Sequence, residues 1–262
     1  MSLLSMVAAV VIATSACGSA EHAVGVLAPE PLGVVVTVLK VPTDPVQVAR
    51  GGPAPEVSPD LAELADRVAP SLVDVTTYRA TDPVKVGTGI VLNSAGLVLT
   101  NQHVIAGGTT VRITTFGDGQ AYPAVLLGAD AARDLALLQI QAPVELPPAA
   151  VADSDLVRVR VASIGNGYGY GLGIGAGPVT RVNVTTSPSG EGSSQLMTGM
   201  IEAHTDLRPG ASGGAMVNTA GEVIGVDTGT GIAPDTTGPN GYGYAIPINT
   251  ALEVANELLA GN

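Results

Sequence analysis

At 262 residues, the chain can hold one compact unit of about 200 residues plus a tail, or two small domains. Its formal charge of −12, with only eleven Lys and Arg, excludes the basic face that a nucleic-acid partner requires. Tryptophan is absent, and 34 Gly and 19 Pro punctuate a hydrophobic content of 46%. That balance excludes disorder and predicts short β-branched strands joined by tight turns.

The chain opens with an apolar run, Leu3 to Ala13, of signal-peptide length and too short to cross a bilayer, so export is expected. The run Thr14-Ser15-Ala16-Cys17 resembles a bacterial lipobox. There Cys17 would carry lipid and fix residues 18 onward to the outer face of the cell membrane. Thr14 in place of Leu, and the lack of a preceding Lys or Arg, leave open an ordinary signal peptide cut near Ala20 and plain secretion. Cys17 is the only cysteine, so no internal disulfide is possible.

Residues 18–59 carry prolines at 29, 31, 42, 45, 53, 55 and 59, spacing that predicts an extended tether. Within it Val34 to Val41 is an apolar patch suited either to a sheet edge or to self-association. Ser58 and Pro59 read as the N-cap and first position of a helix that continues through Leu61, Leu64, Ala65 and Val68 to Pro70. The texture then turns to strands at 72–77, 89–92, 97–100, 110–114, 124–127 and 135–139, divided by turn residues such as Asn93-Ser94-Ala95-Gly96. A crossover at 143–148 leads to a second series at 159–164, 178–184, 196–202, 215–217, 223–228 and 242–246, and a helix at 250–259 closes the chain. Two sets of about six strands predict two small barrels in tandem, about 70–142 and 155–248, within a unit spanning 60–262.

Amide hydrolysis by serine needs a hydroxyl, a base, an acid that fixes the base's tautomer, and N–H donors for the oxyanion. Pro209-Gly210-Ala211-Ser212-Gly213-Gly214 sets Ser212 between glycines before an apolar strand, although a plain glycine turn fits the same residues. His103 follows the predicted strand 97–100 within Thr100-Asn101-Gln102-His103-Val104-Ile105. Asp134 abuts the apolar run Leu135 to Ile140, where a partly desolvated carboxylate needs a donor such as an imidazole N–H. Asp130 is the rival acid.

The order His, Asp, Ser, in the segments TNQHVI, ARDLALLQI and PGASGGAMVN, resembles the bacterial trypsin-like proteases of the HtrA (Deg) family. GTGIVLNSAGLVLTNQHVI from Gly87, VADSDLVRVRVASIGN from Val151, GEVIGVDTG from Gly221 and YGYAIPINTALEVANELL from Tyr242 extend the resemblance from Leu61 to Leu259. It implies an all-β fold of two six-stranded antiparallel barrels with a short N-terminal and a C-terminal helix. It also implies a cleft between the barrels, with Ser212 as nucleophile, His103 as base and Asp134 as orienting acid. The N–H groups of Gly210 and Ser212 would form the oxyanion hole. Val226, Asp227 and Thr228 would lie beside a peptide or unfolded-protein substrate and pair with its main chain.

Family members usually carry Asn or Asp where this chain has Ala211, and no PDZ domain is expected. Asp206, six positions before Ser212, occupies the place of the specificity-pocket acid of trypsin-like enzymes and would favour a basic substrate side chain. A local pair with Arg208 is the alternative, and a small apolar preference the competing expectation. His204 reads as structural. Gly165 to Gly177, with glycine at alternate positions, lacks the βαβ setting of a nucleotide loop and is expected to be a mobile loop near the cleft. No cofactor is expected, and no metal, because three scattered histidines lack ligand spacing. A protease fold kept only for peptide binding is the alternative function.

Overall fold

The computed structural model describes residues 60–156, 160–166, 171–187, 196–205, 207–231 and 241–261. Helix α1, Leu61–Val68, starts at Asp60, whose Oδ1 accepts the N–H groups of Ala62 at 2.8 Å and Glu63 at 3.4 Å. Asp60, rather than Ser58, is therefore the N-cap. Its carboxylate also suits the positive end of the helix dipole.

Strands β1 (Leu72–Arg79), β2 (Asp82–Val91), β3 (Leu97–Thr100), β4 (Thr110–Thr115), β5 (Ala121–Asp130) and β6 (Leu135–Ile140) close an antiparallel barrel in the order β1-β2-β3-β6-β5-β4. A short helix, α2 (Gln102–Ile105), leaves β3. Strands β7 (Arg160–Asn166), β8 (Leu172–Thr186), β9 (Met197–Ala203), β10 (Ala215–Val217), β11 (Val223–Gly231) and β12 (Tyr242–Pro247) close a second barrel, β10-β11-β12-β9-β8-β7, before α3 (Ile248–Ala260). The architecture is the expected pair of six-stranded antiparallel barrels.

All six residues of β6, Leu-Ala-Leu-Leu-Gln-Ile, are buried, although an ordinary barrel strand shows one face to water. The reason is that both faces are covered. Leu138 and Ile140 fill the first barrel with Val73, Val75 and Val98. Leu135 and Leu137 point the other way, into a core shared with Leu64 of α1, Ile164 and Val217 of the second barrel, and Val254 of α3. This shared core holds barrels and helices together and fixes the cleft between them.

The expectation of a mobile loop over Gly165 to Gly177 is corrected for its described parts. Asn166, Gly165 and Ser163 of β7 pair with Leu172, Gly173 and Gly175 of β8, and Val161 pairs with Gly177. A Cβ on Gly177 would lie 1.8 Å from the His204 carbonyl oxygen, so that glycine serves a close approach between strands.

Candidate active site

Helix α2 and the start of β6 bring His103 and Asp134 together. Asp134 has φ +52, a left-handed conformation that is costly for a residue with a side chain and concentrates at functional sites. Its carbonyl accepts Gln102 N–H at 3.2 Å and Asn101 Nδ2 at 3.0 Å, which over-determine the turn. The carboxylate then faces His103: Oδ1 accepts the His103 backbone N–H at 3.0 Å, and Oδ2 lies 2.8 Å from Nδ1. Oδ2 also accepts the Thr228 hydroxyl at 2.5 Å. His103 is 8% exposed and Asp134 4%, so the pair is largely shielded from water. Because a carboxylate only accepts, His103 Nδ1 carries a proton, and in the neutral imidazole Nε2 is then the nitrogen that keeps a free lone pair.

Asp130 is engaged elsewhere: its Oδ2 meets Arg133 Nε at 2.6 Å, and Arg133 reaches Glu257 of α3 at 2.5 Å. Those bonds anchor the turn that ends in Asp134.

Ser212 and His103 line one cavity of about 460 Å3, together with Lys85, Val86, Leu207, Arg208 and the Gly229–Thr230 segment of β11. Among the described residues no hydrogen bond joins the Ser212 hydroxyl to the His103 ring, a looseness common in unliganded sites that tightens on substrate binding. Around Ser212 the backbone is tightly bonded. Ala211 N–H donates to Arg208 O at 2.9 Å, Gly213 N–H to Asp227 O at 2.7 Å, and Gly214 N–H to Ala211 O at 2.8 Å. Among the described residues the N–H groups of Gly210 and Ser212 make no such bond, and two open donors two residues apart are what an oxyanion needs. Gly210 has φ +93, open to glycine alone.

Of the residues expected beside the substrate, Thr228 turns its hydroxyl to Asp134, Val226 is in the core, and Asp227 is fully buried. The cavity is lined further along the strand, by Gly229 and Thr230. Asp227 Oδ1 is 2.9 Å from Ser163 Oγ while Oδ2 has no partner, and burial pushes its carboxyl well above the usual carboxylate range. Asp206 and Cys17 lie outside the described residues. His204 stacks edge-on to Tyr242, centroids 4.5 Å apart. Sequence reasoning missed Lys85, Val86 and Leu207, whose residue types carry no signal of a cleft, and took Arg208 only as a partner for Asp206. Among the described residues no three His, Cys, Asp or Glu side chains gather as a metal site would require.

A double barrel with a His–Asp pair and a glycine-flanked serine on one cleft defines the trypsin-type peptidase class. The chain belongs to the family described as trypsin-like peptidase domain, which matches residues 87–226. It is 31% identical over 228 residues to serine protease PepD of Mycobacterium tuberculosis, covering 79% of this chain and 48% of that protein. It is 35% identical over 176 residues to the periplasmic pH-dependent serine endoprotease DegQ of Escherichia coli, covering 66% of this chain and 37% of that one. The solved structure of the HtrA-type protease AlgW with tripeptide superposes with a TM-score of 0.65 at 30% identity, covering 77% of this chain and 64% of that one. The chain thus spans about half or less of the length of these curated relatives.

Proposed function

We propose that the chain is a serine endopeptidase that cleaves exported or envelope proteins through Ser212, His103 and Asp134. The observation that carries it is the 2.8 Å contact of His103 Nδ1 with Asp134 on the cavity whose facing wall holds Ser212 and two open backbone donors. Ser212 Oγ attacks the scissile carbonyl while His103 Nε2 takes its proton. The carbonyl oxygen, now negative, is received by the N–H groups of Gly210 and Ser212. His103 then passes the proton to the leaving amine, leaving an acyl-enzyme on Ser212 that water hydrolyses by the same route. Asp134 keeps the imidazole in the right tautomer and stabilises the imidazolium.

An extended substrate would pair its main chain with the Gly229–Thr230 segment of β11. Leu207 on the wall suits a small apolar residue on the acyl side, and Asp206→Ser tests the contrary role for Asp206. Residues 60–262 would form the protease unit behind a tether at 18–59, with Cys17 as a lipid anchor. The similar proteases DegQ and DegP of Escherichia coli are periplasmic, which supports export.

The test is fluorophosphonate labelling of the full chain beside Ser212→Ala and His103→Ala. Label on the wild type, absent from both variants, is expected. A folded wild type that takes no label would favour the peptide-binding alternative.

A further inference from the structure

We propose that Thr88 is the residue that positions the oxyanion hole, an inference that rests on the peptidase reading above. Thr88 sits on β2 of the first barrel with no exposed surface, and each of its polar groups is committed. Its N–H donates to Ser212 O at 2.8 Å. Its carbonyl accepts the Thr100 hydroxyl at 2.6 Å. Its own Oγ1 accepts Asn166 N–H from β7 at 2.8 Å and lies 2.9 Å from Gly210 O. The polarity of this chain is fully determined. A backbone N–H only donates and a carbonyl only accepts, so the one hydroxyl proton must point at Gly210 O.

The consequence lies in the peptide planes. The plane joining Gly210 to Ala211 is held at both ends, its oxygen by Thr88 and its N–H by Arg208 O. The plane joining Ser212 to Gly213 is held at both ends too, by Thr88 N–H and by Asp227 O. The plane between them is held at its oxygen by Gly214 N–H, which leaves Ser212 N–H aimed outward. Among the described residues the Pro209–Gly210 plane, which carries the second donor, has no backbone hydrogen bond of its own. Its only constraint on the C-terminal side passes through Gly210, whose carbonyl Thr88 holds. One residue of the first barrel thus brackets both donors on a loop of the second, its hydroxyl holding Gly210 O and its backbone N–H holding Ser212 O. With Ala211 next to the serine, the loop has no polar side chain at that position to do the same work, and Thr88 supplies the tether from outside it.

The geometry makes Thr88 a positioning residue: it touches no substrate and acts through Gly210 and Ser212. Thr88→Val keeps the branched shape and removes the proton donor, while Thr88→Ser keeps the donor. In the full chain, Thr88→Val is expected to lower kcat about tenfold to a hundredfold with KM within about twofold, the pattern of an interaction made in the transition state. Exchange of the Ala211 amide hydrogen should quicken by about tenfold or more as that plane loosens. Thr88→Ser is expected to restore both. Should Thr88→Val not fold, Thr88→Ala removes the same hydroxyl without setting a methyl against the Gly210 carbonyl and carries the same readings. Wild-type kcat in the folded valine or alanine variant, or a serine variant as impaired as they are, overturns the proposal. If the wild type itself neither labels nor cleaves, the peptidase reading falls, and Thr88 is then judged by the Ala211 exchange alone: no change in rate refutes the tether.

Discussion

The hydroxyl of Thr228 donates to Asp134 Oδ2 at 2.5 Å, and with that bond the second barrel reaches across the cleft to the acid of the first. The same oxygen is 2.8 Å from His103 Nδ1, so the acid that orients the base is itself oriented by a strand that lines the substrate cavity.

Thr228→Val removes this bond and leaves both His103 contacts in place. A hydrogen bond to a charged acceptor contributes about 1.5–3 kcal/mol, and only part of that is felt at the transition state. A fall in kcat/KM of about tenfold is expected, measured on a peptide substrate, with the thermal midpoint little changed. A loss as large as that of Ser212→Ala would instead mark Thr228 as indispensable.

Asp134→Asn tests the tautomer argument more severely. The carboxylate accepts three donors, two from His103 and one from Thr228, whereas an amide has a single acceptor oxygen. Its NH2 must then face one of those donors or force the imidazole proton onto Nε2, where it blocks attack. A drop in kcat of about 10⁴ is expected while substrate affinity stays near wild type. Retention of more than a tenth of the activity would assign the acid elsewhere.

The fold was largely legible in the sequence because β6 and its neighbours announce themselves as apolar runs, and His103, Asp134 and Ser212 each sit at the edge of such a run. Other features depend on contacts that no local pattern carries. Thr88 lies 122 residues from Gly210, and nothing in Gly87-Thr88-Gly89 says which carbonyl its hydroxyl meets. The alternating glycines after Gly165 read as a loop because glycine weakens strands. They fall in β7 and β8, which pair along their length, and at two of them a Cβ would collide, Gly165 with Ala211 and Gly177 with the His204 carbonyl. Asp227 is placed beside the substrate by its strand's main chain alone, and no local pattern tells that its side chain turns inward to Ser163.

Gly213→Ala examines how closely the serine loop is pressed against the first barrel. Gly213 has φ +84, and a Cβ there would lie 2.1 Å from Thr88 O and 2.4 Å from Thr100 Oγ1. Left-handed strain and a backbone collision add, so destabilisation of about 3 kcal/mol or more is expected. Urea unfolding measures it, and fluorophosphonate labelling should fall with it. A variant as stable as the wild type would show that the loop can move away from β2.

Asp227 yields a prediction about pH. It is fully buried, Oδ1 is 2.9 Å from Ser163 Oγ, and Oδ2 has no partner. The Ser163 hydroxyl also lies 3.2 Å from Thr205 Oγ1. An Asp227 proton donated to Ser163, passed on as a Ser163 bond to Thr205, satisfies that chain without a charge. Burial pushes the Asp227 carboxyl well above the usual range, whereas in the unfolded chain it titrates near its ordinary value of about 3.9. Below that value both states hold the proton and the group has no effect. Above it, the unfolded state has lost a proton that the folded state keeps, so stability falls as pH rises until the folded carboxyl also ionises. Asp227→Asn can still donate to Ser163, through its amide NH2, and cannot ionise. Its stability relative to the wild type should therefore grow with pH from about 4 upward, by at most about 1.4 kcal/mol per unit. Urea denaturation of both proteins from about pH 3.5 to 8 checks this. A difference that stays constant across the range would mean that the buried carboxyl ionises alike in both states, and the uncharged chain from Asp227 to Thr205 would be wrong.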